Sequence, residues 1–378
     1  MTDALVSARR GLWLVSLSLL VVLGCILTEA VLPDGSTVAG QSSDGEQDVI
    51  KWVDFTPTAQ AMKQCLSIDL QWQAQGSEHR CSWIELLALY SARCGGDYSK
   101  FRAKDLQELA EKIEGGSTPE QCTKNTDLYH YYLTAYSAAL GGMVGEYTKV
   151  TVTTDADGVL RETRENCYGL RVFSPIGAGY SYTDYDDFGT SRSYGYRRSH
   201  LGHDLLGSIG TPIVAIESGV IEHHGWNQYG GWRIGIRSFD SRRYYYYAHL
   251  QKDHPFADGL QVGDTVQAGD LIGFMGRTGY SDKENVNNIE TVHLHFGMEL
   301  IFDESQKECN SEIWIDPYQI VRLLSEHRSS IQKTKGEWQR VYPFRDLDEP
   351  VFDAHSYKRT FWKNSCIFTI HDYNNAIM

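Results

Sequence analysis

Most residues of this chain that could do chemistry together fall in three short signals between Tyr194 and Phe296. They are His200-Leu-Gly-His-Asp204, Tyr247-Ala-His249-Leu250 and His293-Leu-His295-Phe296. A catalytic zinc site takes three protein ligands, mostly His and carboxylate, and keeps a fourth position for water. Side chains on an extended strand alternate faces, so His293 and His295 point the same way. Together the signals supply three ligands and spare imidazoles for proton transfer. Each alone is weak. An H-x-H pair more often marks the polar face of a strand, and H-x-x-x-D arises by chance in many chains.

Their order and company add weight. Phe188-Gly189-Thr-Ser-Arg192 and then Arg198 precede His200, and Gly210-Thr211-Pro212-Ile-Val-Ala follows Asp204. Between the second and third signals lies Val262-Gly263-Asp264-Thr-Val266-Gln-Ala-Gly269-Asp-Leu-Ile272-Gly273-Phe-Met-Gly276-Arg-Thr278-Gly279. With these motifs, over roughly residues 185–300, the sequence resembles the lysostaphin/LytM-type zinc endopeptidases of bacterial cell walls, peptidase family M23. The family pattern is F-G-x-R, H-x-G-x-D, G-T-P-V-x-A, Y-x-H-L, G-D-x-V-x-x-G-x-x-I-G-x-x-G-x-T-G and H-L-H-F.

The resemblance implies His200, Asp204 and His295 as zinc ligands and His249 and His293 as catalytic histidines. It implies a zinc-dependent endopeptidase acting on peptides of peptidoglycan stems or crosslinks. Zinc lowers the pKa of its bound water and polarises the carbonyl under attack. An imidazole titrating near 6.5 suits the proton shuttle. A donor must also stabilise charge on the carbonyl oxygen, a place for His249 if it is protonated. Which histidine takes which role stays open at this point. The alternative is a non-catalytic, membrane-anchored LytM-like scaffold that binds wall or activates another hydrolase. Such members typically lack one or more ligands, and none is missing here. One departure from the pattern stands out: Asp282 to Val292 intervene between Ser281 and the H-L-H pair. This polar loop is expected to border the groove and bear on substrate choice.

The other histidines get structural readings. His203 is expected to point away from the ligands, His223 and His224 to lie in a surface turn before Gly225-Trp226, and His254 in a loop. In the run Tyr244–Tyr247, alternation predicts some side chains in the core and others in the groove, with His249 continuing the face of Tyr245 and Tyr247.

These residues need a scaffold. Short apolar segments punctuated by glycine, at Ile213–Ile216, Trp232–Ser238, Tyr244–His249, Leu271–Met275 and Val292–Leu300, predict an all-β sandwich or partly open barrel over residues 151–325. Before it, residues 49–150 read as a small helical domain, with apolar periods at Trp83–Tyr90, Ala103–Ile113 and Leu128–Met143. This is either a wall-positioning module or a spacer. Glu85 and Glu146 within it have no partner motif and read as ordinary glutamates. The fold class is therefore α+β and multidomain. Trp314–Leu324 predicts a helix packed back on the β domain, and residues 326–378 form a C-terminal extension.

The amino terminus carries Arg9-Arg10 and then an uncharged run from Gly11 to Leu27. Residues 1–32 read as a signal anchor, single-pass, with the catalytic part outside the cytoplasm. A lipoprotein signal with lipidated Cys25 is the alternative. Residues 33–48 form a polar linker. The net charge of −14 gives a nucleic-acid role no electrostatic support. Cys65, Cys81, Cys94 and Cys122 share the helical region, where export would permit two disulfides in three connectivities. Cys167, Cys309 and Cys366 lie further on.

Overall fold

The computed structural model of the 378-residue chain describes residues 53, 55–154, 160–194, 196–307, 311–341 and 344–347. The expected anchor, linker and lipidation site, with Cys309, Cys366 and the end of the C-terminal extension, lie outside the described residues. Among the described residues no helix is long and apolar enough to cross a membrane.

Four helices come first: α1 (Ala59–Gln75), α2 (Trp83–Cys94), α3 (Ala103–Glu114) and α4 (Thr126–Leu140). Helix α1 has no sharp sequence period because its buried stripe, Ala61, Met62, Cys65, Leu66, Asp69 and Trp72, mixes small and polar residues with large ones. Helix α2 starts at a capping box in which Ser82 accepts from Glu85 N–H while the Glu85 side chain answers the Ser82 backbone. That is the work of Glu85. Helix α4 buries Tyr129, Tyr132, Tyr136 and Leu140 along one face. The carboxylate of Asp69 joins the layers by accepting from Trp83 N–H at 3.0 Å and Tyr168 O–H at 3.2 Å. The described cysteines of this region and Cys167 are free thiols.

The strands follow in order: β1 (Val144–Thr154), β2 (Leu160–Leu170), β3 (Thr183–Asp184), β4 (Ser191–Tyr194), β5 (Tyr196–Ser199), β6 (His203–Leu206), β7 (Pro212–Val214), β8 (Gly219–Asn227) and β9 (Gly231–Ser238). They continue with β10 (Arg243–Ala248), β11 (Thr265–Val266), β12 (Leu271–Phe274), β13 (His293–Leu300), β14 (Ile313–Ile315), β15 (Ile331–Thr334), β16 (Glu337–Arg340) and β17 (Phe344–Asp346). A short helix α5 (Tyr318–Leu323) sits between β14 and β15. The expected helix over Trp314–Leu324 thus begins only at Tyr318, because Ile313–Ile315 pairs with β13 as a strand.

The main sheet is antiparallel in the order β11-β8-β9-β10-β13-β6-β3, with β14 added on β13. The pair β7–β12 forms a separate small sheet. One apolar core runs from the helices through Ile213 and Ile272 of the small sheet to Ile234, Ile236, Tyr245, Tyr247, Leu294 and Phe296 of the large one. Each such side chain, fully buried, contributes about 1.5–3 kcal/mol. The helices dock on the β part through Ala59 N–H to Gln319 Oε1 at 2.9 Å and Arg243 Nη1 to the Ala138 carbonyl at 2.7 Å.

All four tyrosines of β10 are buried, so none lines an open groove. Tyr245 and Tyr247 fill the main core, while Tyr244 and Tyr246 pack on the other face with Ala248, Ile301 and Trp314. β10 is a central strand, covered on both sides.

Candidate active site

Register builds the site. Strand β13 pairs with β6 so that His295 lies opposite Asp204, and with β10 so that His295 also lies opposite Ala248. His200 stands just before β6, held by Gly189 N–H to its carbonyl at 2.7 Å and its own N–H to Thr190 O at 2.9 Å. Gly202 between them has no room for a side chain: a Cβ would meet the His295 ring at 2.6 Å. Gly276 ties the two remaining histidines, donating to His249 O at 3.1 Å and accepting from His293 N–H at 3.2 Å. A Cβ there would strike the Gln251 backbone at 2.5 Å.

His249 does not continue the Tyr245–Tyr247 face. Its φ of 61° puts it in the left-handed region and ends the strand alternation. The ring turns to the site instead, 4.7 Å from the His293 ring and 5.9 Å from that of His295.

His200, Asp204 and His295 form a triangle of ligand atoms. His200 Nε2 is 2.9 Å from His295 Nδ1, and each is 3.0 Å from Asp204 Oδ1. The other nitrogen of His200, Nδ1, lies 3.3 Å from both the carbonyl and the Oδ1 of Asp187. A proton on Nδ1 therefore leaves Nε2 bare, and a carboxylate has none to give. Such a His–Asp–His set suits a divalent ion of zinc's character. A proton is the other way to satisfy it. Burial opposes charge on His200, but Asp187 and Asp204 outweigh it and push the imidazole up to about 9. Burial also works against the Asp204 charge, yet the hydrogen bonds of His200 and His295 hold its carboxyl far below the usual range. Burial, with His200 nearby, takes His295 down to about 4. Metal and proton thus compete for the same lone pairs.

His249 and His293 are pinned alike. Each directs Nδ1 at a backbone carbonyl 2.9 Å away, Thr278 O and Thr291 O respectively. Each then turns a bare Nε2 away from that bond. Burial, followed by the neighbouring histidines, drives His249 well below its ordinary pKa. A protonated His249 acting as donor to a carbonyl oxygen does not fit this environment. A cavity of about 20 Å³ is lined by these five residues with Arg192, Arg198 and Tyr280.

Residues 198–308 match the model of peptidase family M23. The chain carries an M23 peptidase domain. Over 162 residues it is 37% identical to the L-Ala--D-Glu endopeptidase of Bacillus subtilis (strain 168), covering 43% of this chain and 45% of the relative. Over 98 residues it is 42% identical to lysostaphin of Staphylococcus simulans, covering 26% and 17% of the two chains. The solved catalytic domain of that antimicrobial peptidase is 32% identical, with 37% of this chain and 92% of that one covered at a TM-score of 0.29. The chain spans less than half the length of these curated relatives.

Around the M23 site, sequence reasoning missed two supports. Asp187 orients His200 from behind, and Arg192 binds Asp187 Oδ2 while reaching Asp204 Oδ2 at 3.4 Å. Such outer partners fix ring orientation and tautomer. Their signal was the Phe188-Gly189-Thr-Ser-Arg192 segment, with Asp187 one residue ahead of it. His203 points away, as expected, and pairs with Asp184 at 3.0 Å. His223 and His224 are not in a turn but inside strand β8. His223 lies 3.2 Å from Tyr244 Oη, and burial first, then Arg233, take it down to about 3. His224 packs on Phe256 with ring centroids 3.7 Å apart. Neither lines the site cavity.

Proposed function

We propose that this chain is an exported, zinc-dependent endopeptidase that hydrolyses peptide bonds in peptidoglycan stems or crosslinks. The observation that carries the reading is the acceptor triangle of His200, Asp204 and His295, set beside two further imidazoles with bare Nε2 atoms. The M23 match and the endopeptidase and lysostaphin relatives point the same way. The complete ligand set speaks against a scaffold that has lost its chemistry.

Zinc held by the triangle would supply a Lewis acid and a water nucleophile at neutral pH. The chain's own residues do the rest. His249 or His293 takes the proton from the attacking water on Nε2, and the same pair can return it to the departing amine. The carbonyls of Thr278 and Thr291 fix the tautomer that keeps Nε2 bare. Asp187 and Arg192 hold His200 and Asp204 in place without meeting the substrate. We read the Gly11–Leu27 run as the anchor that holds the enzyme at the membrane, with lipidation at Cys25 as the alternative.

The test is mass spectrometry of fragments released from purified peptidoglycan by the full chain, with and without a zinc chelator. Release of new amino termini that stops with chelator and in His249→Ala supports the reading, and the fragment masses name the bond. Zinc-loaded, folded protein that releases nothing from walls of several chemotypes rejects it.

A further inference from the structure

We infer that Thr278 is a positioning residue for His249, acting through its side-chain hydroxyl. The hydroxyl locks the left-handed turn that carries the imidazole, and in doing so aims the Thr278 carbonyl at the ring. This rests on the endopeptidase reading, in which His249 moves a proton, and adds to it the side chain that fixes where that proton is held.

A non-glycine residue in the left-handed region carries backbone strain and stays there where its surroundings over-determine it. His249 has a φ of 61°. All four backbone polar groups of His249 and Leu250 are bonded. His249 N–H donates to Gly230 O at 2.7 Å, Leu250 N–H to Trp232 O at 3.0 Å, and Gly276 N–H to His249 O at 3.1 Å. Leu250 O accepts from Thr278 Oγ1 at 2.6 Å. The first three bonds join backbone groups. The last comes from a side chain, so it is the bond of this turn that the amino-acid type dictates.

Thr278 is fully buried, and its hydroxyl is used on both sides. It gives its one proton to Leu250 O and accepts from Trp232 N–H at 3.1 Å. The carbonyl of the same residue accepts from His249 Nδ1 at 2.9 Å. Thr278 thus grips the backbone just after the imidazole with its hydroxyl and the imidazole itself with its carbonyl. Packing leaves the hydroxyl no second place. Gly231, with φ 66°, lets the start of β9 come this close: a Cβ there would meet Thr278 Oγ1 at 2.5 Å and its carbonyl carbon at 2.4 Å. Trp232 is anchored in turn, its indole N–H donating to Asn285 Oδ1 at 2.9 Å, and Asn285 Nδ2 donates to Asp253 at 2.7 Å. Asn285 belongs to Asp282–Val292, so the segment that departs from the family pattern braces the donor to Thr278. The carbonyl facing His293, by contrast, belongs to the exposed Thr291.

The experiment compares Thr278→Val, which keeps the shape and removes the hydroxyl, with Thr278→Ser, which keeps the hydroxyl, on a soluble peptidoglycan peptide that the parent cuts. In Thr278→Val we expect kcat to fall by about 10- to 100-fold with KM nearly unchanged. Zinc affinity, read by chelator competition, stays at the parent value, because His200, Asp204 and His295 are not touched. Thr278→Ser stays close to the parent. In a His249→Ala background Thr278→Val costs nothing further, since a residue that acts through His249 has nothing left to position. Should Thr278→Val not fold, Thr278→Ala replaces it in each comparison. Equal losses in the Ser and Val variants, a loss repeated in the His249→Ala background, or no loss at all overturns the inference and leaves the endopeptidase reading intact. If the parent cuts no peptide, that reading fails instead, and imidazole nitrogen NMR judges Thr278 by itself. A single Nδ1–H tautomer of His249 that becomes mixed in Thr278→Val sustains the inference, and an unchanged tautomer rejects it.

Discussion

Strand β10 has a buried polar cluster at each end, and the two are built on opposite terms. At its start, Arg243 is fully buried and closed on all sides: Glu217 binds it twice, at 2.8 and 2.9 Å, Asp240 binds it at 2.7 Å, and the Ala138 carbonyl takes Nη1. Tyr245 completes the knot by donating to Glu217 at 2.5 Å. At the other end, beyond Ala248, the acceptors of His200, Asp204 and His295 face one another at 2.9–3.0 Å. A buried charge whose partners are all in the chain holds the structure together. Buried lone pairs that converge on one another call for something from outside. About 20 Å of strand separates the two clusters, so they can be broken independently.

The largest expected effect is at the open cluster. His200→Ala should cut wall hydrolysis by about 1,000-fold or more, while the denaturant midpoint moves little. Glu217→Gln should do the reverse. It removes the bidentate carboxylate from a fully buried guanidinium and leaves Asp240 to balance the charge, so we expect a loss of about 3 kcal/mol in chemical unfolding, with the rate per folded molecule nearly unchanged. If Glu217→Gln slowed hydrolysis without destabilising the fold, the division of labour drawn here would be wrong.

Asp187→Asn tests whether the open cluster is set from behind. We expect metal affinity, read by competition with a chromogenic chelator, to weaken by about 10- to 100-fold. No change would mean that Arg192 and packing suffice to aim His200.

The smallest effect sharpens the contrast with a third case. Glu299 shares the strand face of His295 but is nearly fully buried, and its Oε1 has no hydrogen-bond partner among the described residues. Burial, then Glu312, push its carboxyl up to about 9. The folded state therefore holds a proton that the unfolded chain releases near 4.5. Its contribution to stability is complete below about pH 4.5 and is lost as pH rises towards 9. Glu299→Gln should stabilise the protein at pH 7 by about 2 kcal/mol and change little at pH 4. A mutant equally stable at both values relative to the parent would show that the carboxyl is ionised in the fold.

Much of the centre was legible in the sequence. Strand periodicity placed His293 and His295 on one face, and the motif order picked out the five residues that line one cavity. The helices α2, α3 and α4 were legible too, because each carries large apolar residues at helical spacing and is followed by glycine. Helix α1 was not, since Ala61, Cys65 and Asp69 dilute its stripe. Strand β8 was misread as a turn because Gly225 follows two histidines, and only pairing with β9 makes that stretch extended.

What the sequence determined by itself is the set of His and Asp side chains that meet at the site, because their chemistry is local to each side chain and their order is a motif. What tertiary structure alone decided is what each of them faces. The left-handed turn at His249, the Thr278 carbonyl that chooses its tautomer and Asp187 behind His200 come from segments far apart in the chain. A tautomer or a charge is set by the nearest partner in space, and spacing along the chain does not encode that neighbour.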